Sequence, residues 1–117
     1  MAVKRIVSNI AVADIEKAKA FYREIFELEI IMDFGWIATF GSGNSALTQM
    51  SVMTEGGSGT EVPDLSIEVD DVDALYRRAK AAGAEIAYEL ADEPWGVRRF
   101  YMRDPFGKLL NVLSHFG

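Results

Sequence analysis

Few side chains in this sequence can do acid–base or nucleophilic chemistry, because it contains a single histidine, His115, and no cysteine. The lack of cysteine excludes thiol nucleophiles, zinc–thiolate sites, iron–sulfur clusters and disulfide scaffolds. Histidine transfers protons or ligates metals near neutral pH. Strand alternation puts His115 on the same face as Asn111 and Leu113. Two interpretations stay open: His115 acts at a cleft, or it is a partly exposed histidine held by a hydrogen bond.

Aromatic and sulfur-bearing side chains form a second constellation. Trp95 stands in a Pro-Trp-Gly loop, and Phe100 and Met102 share a strand face with Arg98. Arg98 and Arg99 alternate, so one of them faces inward and needs a carboxylate or an anionic ligand. A concave sheet lined by rings and a few polar groups would bind a planar ligand, although the same residues could form ordinary core. The candidate ligand-binding residues are Trp36, Phe40, Gln49, Trp95, Arg98, Phe100, Met102, Asn111 and His115.

Composition limits the classes of partner. The chain has 117 residues, which is the length of one domain, and half of them are hydrophobic. Its formal net charge is −6, whereas binding to nucleic acid needs clustered Lys and Arg. No stretch approaches the roughly 20 apolar residues that cross a bilayer, and the N-terminal residues lack the pattern of a signal peptide. We therefore expect a cytoplasmic domain that binds neither nucleic acid nor membrane.

Two segments 57 positions apart carry the same pattern. Ile10-Ala-Val-Ala-Asp14-Ile15-Glu-Lys-Ala18 and Ile67-Glu-Val-Asp-Asp71-Val72-Asp-Ala-Leu75 each read as a β-branched strand, an aspartate cap and an amphipathic helix. The offset is close to half of the chain. The pattern predicts a duplicated half-domain.

After each predicted helix the hydrophobic period changes from 3.6 to 2, which is typical of strands. The resulting string is βαβββ, a linker, and βαβββ. We predict an α+β fold of two tandem modules, 1–54 and 62–117, joined by a flexible linker at 55–61, with curved mixed β-sheets enclosing a cleft and the helices outside. The predicted strands after the helices are 28–32, 36–40, 46–53, 85–90, 97–103 and 109–115.

Three stretches resemble the vicinal oxygen chelate superfamily, which groups glyoxalase I, bleomycin-resistance proteins and extradiol dioxygenases. They are Ile10–Asp14 running to Ala20-Phe21-Tyr22, Ile67–Asp71 running to Ala82-Gly83, and the turn Arg103-Asp104-Pro105-Phe106-Gly107. The resemblance covers essentially the whole chain and implies the duplicated fold. It leaves the function open, because the superfamily contains both metalloenzymes and metal-free binding proteins.

The resemblance also identifies where metal ligands would stand. Metal-dependent members carry a histidine about seven residues before each capping aspartate and a glutamate shortly after the last turn. Here those positions hold Val7, Asp64 and Asn111, and the matching strand of the first half offers Thr48 or Gln49. This set contains one carboxylate and no imidazole, too little for a transition metal, magnesium or calcium. We infer that the inherited metal site is lost and expect no cofactor.

Three functions follow from these observations. The first is a metal-independent small-molecule-binding protein of the glyoxalase/bleomycin-resistance type that sequesters an aromatic or cationic compound. The alternative is a metal-dependent lyase, isomerase or dioxygenase with an atypical site, such as Asp64, Gln49 and His115. The third, an accessory or regulatory module, has no specific support in the sequence.

We also expect a homodimer. Small domains bury a low fraction of their surface, and exposed strand edges favour association. The first strand, Lys4 to Val12, is a candidate edge that would pair with the other half-sheet or with a second chain.

Overall fold

A computed structural model of the chain describes residues 1–42 and 45–116, and for residues 45–48 it describes the backbone alone. Within these residues, eight strands and two helices follow one another in the predicted βαβββ order, twice. Their bounds are β1 Val3–Ala11, α1 Ile15–Phe26, β2 Glu29–Asp33, β3 Ile37–Ser42, β4 Ser45–Met53, β5 Leu65–Val69, α2 Val72–Ala81, β6 Glu85–Glu93, β7 Val97–Arg103 and β8 Leu109–His115. The α+β class and the two βαβββ modules are thereby confirmed.

Both helices begin at the aspartates that the sequence marks. The Asp14 carboxylate accepts a hydrogen bond from the backbone N–H of Lys17 at 3.0 Å, and Asp71 accepts one from Ala74 at 3.0 Å. Each bond satisfies a backbone N–H group that has no partner inside the helix. Helix α2 is followed by Gly83, whose φ of +78° lies in the left-handed region that ends helices.

The strands form a mixed sheet in the order β2-β3-β4-β1-β5-β8-β7-β6. The pairs β1–β4 and β5–β8 are parallel, whereas β2–β3, β3–β4, β6–β7 and β7–β8 are antiparallel. In this order β1 stands between β4 and β5, so it pairs with a strand of the second module, which is one of the two pairings expected for it. The edge strands are β2 and β6.

The chain divides into two compact units. The N-terminal unit is Val7–Val62, and the C-terminal unit combines Met1–Ile6 with Pro63–Gly117. Strand β1 contributes residues to both. Each unit has its own core between one helix and one sheet face, with Ile15, Ala38, Phe40 and Val52 at the centre of the first and Val69, Val72, Ala79, Phe100 and Val112 at the centre of the second.

Two of the predicted connections have a local structure that differs from the prediction. The predicted flexible linker contains a hydrogen-bonded turn, in which the N–H of Gly56 donates to the carbonyl of Thr60 at 2.8 Å and the N–H of Gly59 donates to the Glu55 carboxylate at 2.9 Å. The predicted loop from Ala91 begins later, since β6 continues to Glu93. These extra strand residues matter below, because Glu93 lies at the candidate site.

Candidate functional site

The sheet of the C-terminal unit has two chemically different faces. Phe100 and Met102 on β7 pack with α2 in the core. Alternation turns Arg99 and Tyr101 to the opposite face, and the β7–β8 register sets Tyr101 opposite Asn111. We call this opposite side the polar face; its residues are Ser66, Glu68, Tyr88, Glu93, Arg99, Tyr101, Asn111 and His115.

A buried ion pair stands at the centre of the polar face. The Arg99 and Glu93 side chains are 2% and 5% exposed, and Arg99 Nη2 lies 2.6 Å from Glu93 Oε2. Arg99 Nε donates to the same carboxylate at 2.8 Å, and Nη1 donates to the Tyr101 hydroxyl at 2.9 Å. An arginine charge tolerates such burial only with a paired, hydrogen-bonded carboxylate.

Aromatic rings surround this ion pair. The guanidinium carbon of Arg99 lies 4.8 Å from the centre of the Trp95 ring, 4.9 Å from that of Tyr101 and 5.2 Å from that of Tyr88. These distances suit cation–π attraction. The Tyr88 hydroxyl also donates to Glu93 at 3.2 Å. The half-buried Tyr88 and Trp95 and the buried Tyr101 thus enclose an ion pair whose charges cancel.

Asn111 supplies an unsatisfied polar group next to that surface. Its Nδ2 donates to the Ser66 hydroxyl at 3.0 Å, and the residue is buried. Its Oδ1 atom is also buried and has no hydrogen-bond partner among the residues that the structure describes. Because buried polar atoms are nearly always paired, this oxygen is suited to accept a hydrogen bond from a bound molecule.

His115 lies at the end of the same face, in a chain of charged groups. Its Nδ1 is 2.7 Å from Glu68 Oε2, and Arg5 Nε is 3.2 Å from Glu68 Oε1. The glutamate thus orients the imidazole, which is 47% exposed. The expectation that His115 shares a face with Asn111 agrees with the β7–β8 register.

Four of the predicted ligand-binding residues lie on the other side of the sheets. Phe40 and Phe100 are fully buried in the two cores, and Met102 packs against the second core. Arg98 pairs with Asp73 and Asp92 at 3.0 and 2.9 Å. The hydrogen bonds that Arg98 donates to Asp73, and to a smaller extent to Asp92, raise the pKa of Arg98. The expectation that the three apolar side chains line a ligand surface is therefore wrong. Strand alternation groups residues correctly, but it does not reveal which face a helix will cover.

The structure does bring Arg98 and His115 to one cavity. This cavity of about 200 Å³ lies at the N-terminal end of α2 within the C-terminal unit. Its lining residues are Asp70, Asp71, Val72, Asp73, Arg98, Ser114, His115 and Phe116. The polar groups around it already have protein partners, including Arg98 with Asp73 and His115 with Glu68.

The remaining predicted residues are divided between the units. Trp95 contacts Arg99 in the C-terminal unit. In the N-terminal unit Trp36 is half-buried with its ring centre 6.4 Å from that of Phe34, and Gln49 pairs with Gly41 across β3 and β4. That unit also buries a hydroxyl pair, Thr39 and Ser51, at 2.7 Å.

The candidate ligand-binding residues omitted six members of the polar face: Ser66, Glu68, Tyr88, Glu93, Arg99 and Tyr101. A usable signal existed for Glu93, because the inward member of the Arg98-Arg99 pair needs a nearby carboxylate. Glu93 was hidden because the predicted strand ended at residue 90, whereas β6 continues to Glu93. Tyr88 was hidden by the bulge after Ile86, which carries it to the face opposite Ile86.

The four positions where the family resemblance places metal ligands do not fit a metal ion. Val7 is buried and has no donor atom, and Asp64 Oδ2 already accepts the Leu109 N–H at 2.8 Å. Gln49 and Asn111 offer neutral amides, which bind metals weakly without anionic partners. Within residues 1–42 and 45–116 no group of three or more His, Asp or Glu side chains is placed to hold a metal ion. In the same part of the chain, no helix is long and apolar enough to span a bilayer.

Comparison with known proteins agrees with this architecture. The model of the Glyoxalase/Bleomycin resistance protein/Dioxygenase superfamily matches residues 3–112. Among curated proteins, the uncharacterized protein Mb0911c of Mycobacterium bovis is 40% identical over 55 residues, which is 47% of this chain and 36% of that protein. The matched segment thus spans about a third of the relative's length.

Two solved structures are similar to the chain along nearly all of its length. Methylmalonyl-CoA epimerase from Mycobacterium tuberculosis superposes with a TM-score of 0.73 at 21% identity, covering 98% of this chain and 90% of the epimerase. The Mn(II)-bound glyoxalase from Novosphingobium aromaticivorans gives a TM-score of 0.66 at 24% identity, covering 96% of this chain and 39% of the glyoxalase. At these identities the similarity shows the fold alone.

Proposed function

Because the chain belongs to the Glyoxalase/Bleomycin resistance protein/Dioxygenase superfamily, we propose that it is a metal-independent protein that binds a small planar molecule. The ligand is an aromatic or cationic compound held against the polar face of the C-terminal unit. The observation that carries this proposal is the buried, unpaired Oδ1 of Asn111 beside Tyr101.

The chemistry of the polar face supports a particular kind of ligand. Tyr88 and the adjacent Trp95 are half-buried and offer flat surfaces, which favour a planar molecule, while the buried Tyr101 lies behind them. Arg99 is neutralised by Glu93, so the face does not require an anion. Asn111 Oδ1 accepts hydrogen bonds, which favours a ligand with an N–H or O–H donor. The net charge of −6 favours the approach of a cation.

Two dyes with the same ring system test the proposal. Proflavine is planar and cationic and carries amino N–H donors, whereas acridine lacks those amino groups. We expect saturable binding of proflavine, measured by fluorescence anisotropy in the presence of EDTA, and weaker binding of acridine. Replacing Asn111 with Leu should weaken proflavine binding about three- to tenfold, the effect of one hydrogen bond, and should leave acridine binding nearly unchanged.

Three results would contradict the proposal. One is the absence of saturable binding of either dye to a folded protein. Another is an equal loss of affinity for both dyes in Asn111→Leu. That result would mean that the substitution damaged the surface and removed no specific hydrogen bond. The third is proflavine binding that EDTA abolishes, which would require a metal.

The metal-dependent lyase, isomerase or dioxygenase remains the alternative. Its proposed ligands are Asp64, Gln49 and His115, of which Asp64 and His115 are engaged by Leu109 and Glu68. Metal analysis after purification from metal-supplemented medium separates the two functions. A stoichiometric metal whose removal by EDTA lowers the melting temperature would favour the enzyme.

We also propose that the protein is a homodimer in the cytoplasm. Sedimentation equilibrium at micromolar concentration should give about twice the chain mass of 13.0 kDa. A folded protein with the mass of one chain would refute the dimer. Fractionation of cells that express the chain tests its location.

A further inference from the structure

Helix α1 carries exposed apolar side chains beside the face that packs on its core. Phe21 and Ile25 are 52% and 58% exposed and lie one turn apart. Phe21 is held by an edge-on contact with Tyr22, the two ring centres being 5.1 Å apart, and Tyr22 in turn lies 5.4 Å from Phe40 in the core. A rigid aromatic side chain in the middle of an exposed helix surface is typical of a protein-binding site.

Two opposite charges stand on either side of Phe21 along the helix. Lys17 precedes it by one turn and Glu24 follows it by about one turn, so the three residues share one face. Both charged side chains are exposed, and neither makes an ion pair or hydrogen bond within the part of the chain that the structure describes. By contrast, Lys19 on the side toward β2 is bound to Glu16 and Asp33 at 2.9 and 2.7 Å.

We propose that this face of α1 binds the same face of a second copy of the chain, with the two helices antiparallel. The midpoint between positions 17 and 24 falls beside Phe21. A twofold axis at that point therefore brings Lys17 next to the partner's Glu24, and Glu24 next to the partner's Lys17. The two Phe21 rings meet at the axis. The face is complementary to itself in charge, which favours a second copy over an unrelated partner. The inference rests on the homodimer proposed above and is independent of ligand binding.

Charge reversal tests the arrangement. Lys17→Glu and Glu24→Lys each place two like-charged pairs across the axis, whereas the double variant restores opposite charges with the signs exchanged. In sedimentation equilibrium we expect each single variant to weaken dimerisation on the order of tenfold, and the double variant to return within about threefold of the parent. Phe21→Arg should give a monomer, because it puts two cations at the axis.

Arg23→Glu is the matched control, since it makes the same change in charge as Lys17→Glu on another side of α1. It should leave the dimer intact, and circular dichroism should show all variants folded. Single variants that weaken the dimer without recovery in the double variant would overturn the antiparallel arrangement. A dimer that none of the α1 substitutions affects would overturn this interface while leaving the dimer in place. A parent protein of single-chain mass would refute both, and proflavine binding would still report separately on the ligand proposal.

Discussion

Replacing Glu93 with Gln removes the charge that balances Arg99 and should strongly destabilise the protein. Both side chains are at most 5% exposed, so water cannot replace the lost carboxylate. Breaking such a pair by removing one partner costs about 3–5 kcal/mol. The three rings around Arg99 remain in the variant and still contact the stranded guanidinium, which favours the lower end of this range. We therefore expect a loss of about 3 kcal/mol, which lowers the melting temperature of a chain of this size by about 12 °C.

Urea unfolding followed by tryptophan fluorescence measures the loss, since Trp95 lies directly on Arg99. Asp92→Asn is the matched control: it removes a carboxylate from the neighbouring Arg98, but Asp92 is 60% exposed, and the effect should stay within about 0.5 kcal/mol. Adding Arg99→Met to Glu93→Gln removes the stranded charge and should recover part of the stability. Equal losses of unfolding free energy in Glu93→Gln and Asp92→Asn would refute the claim that the buried pair contributes more to stability than the exposed one.

Three smaller effects follow from local contacts. A hydrogen bond from Lys19 lowers the pKa of Asp33. The pair therefore stabilises the fold above the unfolded-state pKa and loses this contribution as the pH falls through the lower folded-state pKa. Asp33→Asn should reduce the unfolding free energy at pH 7, and urea unfolding at decreasing pH should show the difference from the parent shrinking below the unfolded-state pKa. Asp71→Ala removes the cap on α2 and should lower the unfolding free energy measured in urea by about 1 kcal/mol. Asp71→Asn keeps a capping side chain, so its unfolding free energy should be closer to that of the parent. Gly83→Ala should lower the unfolding free energy by about 1 kcal/mol from backbone strain alone, because the φ of Gly83 is +78° and a Cβ there would meet no atom within 4 Å. A melting temperature equal to that of the parent would contradict this prediction.

Much of the fold is predictable because local interactions specify it. The capping aspartates Asp14 and Asp71 act on N–H groups only a few residues away, so their effect is visible in any short window of sequence. The turn at Asp104 is equally local: its carboxylate accepts hydrogen bonds from the N–H groups of Phe106 and Lys108, both at 2.9 Å. The predicted strands 97–103 and 109–115 agree with β7 and β8.

The candidate site was predictable only in part. Asn111 and His115 were placed correctly together, because a regular strand alternates its faces without exception. Phe40 and Phe100 were placed on the ligand side because the sequence pattern does not distinguish the sheet face under a helix from the face opposite. In the folded chain, α1 and α2 cover the sheet faces that carry Phe40 and Phe100, so these two side chains belong to the cores.

By itself the sequence determined the order and type of the elements and the family, since each depends on residue type or on short-range periodicity. Only the tertiary structure decided that Glu93 neutralises Arg99, that Ser66 fixes the Asn111 amide and that β1 is interior to the sheet. These outcomes depend on strand register and bulges. Register arises when distant segments bury their apolar faces together, so no local pattern of residues encodes it.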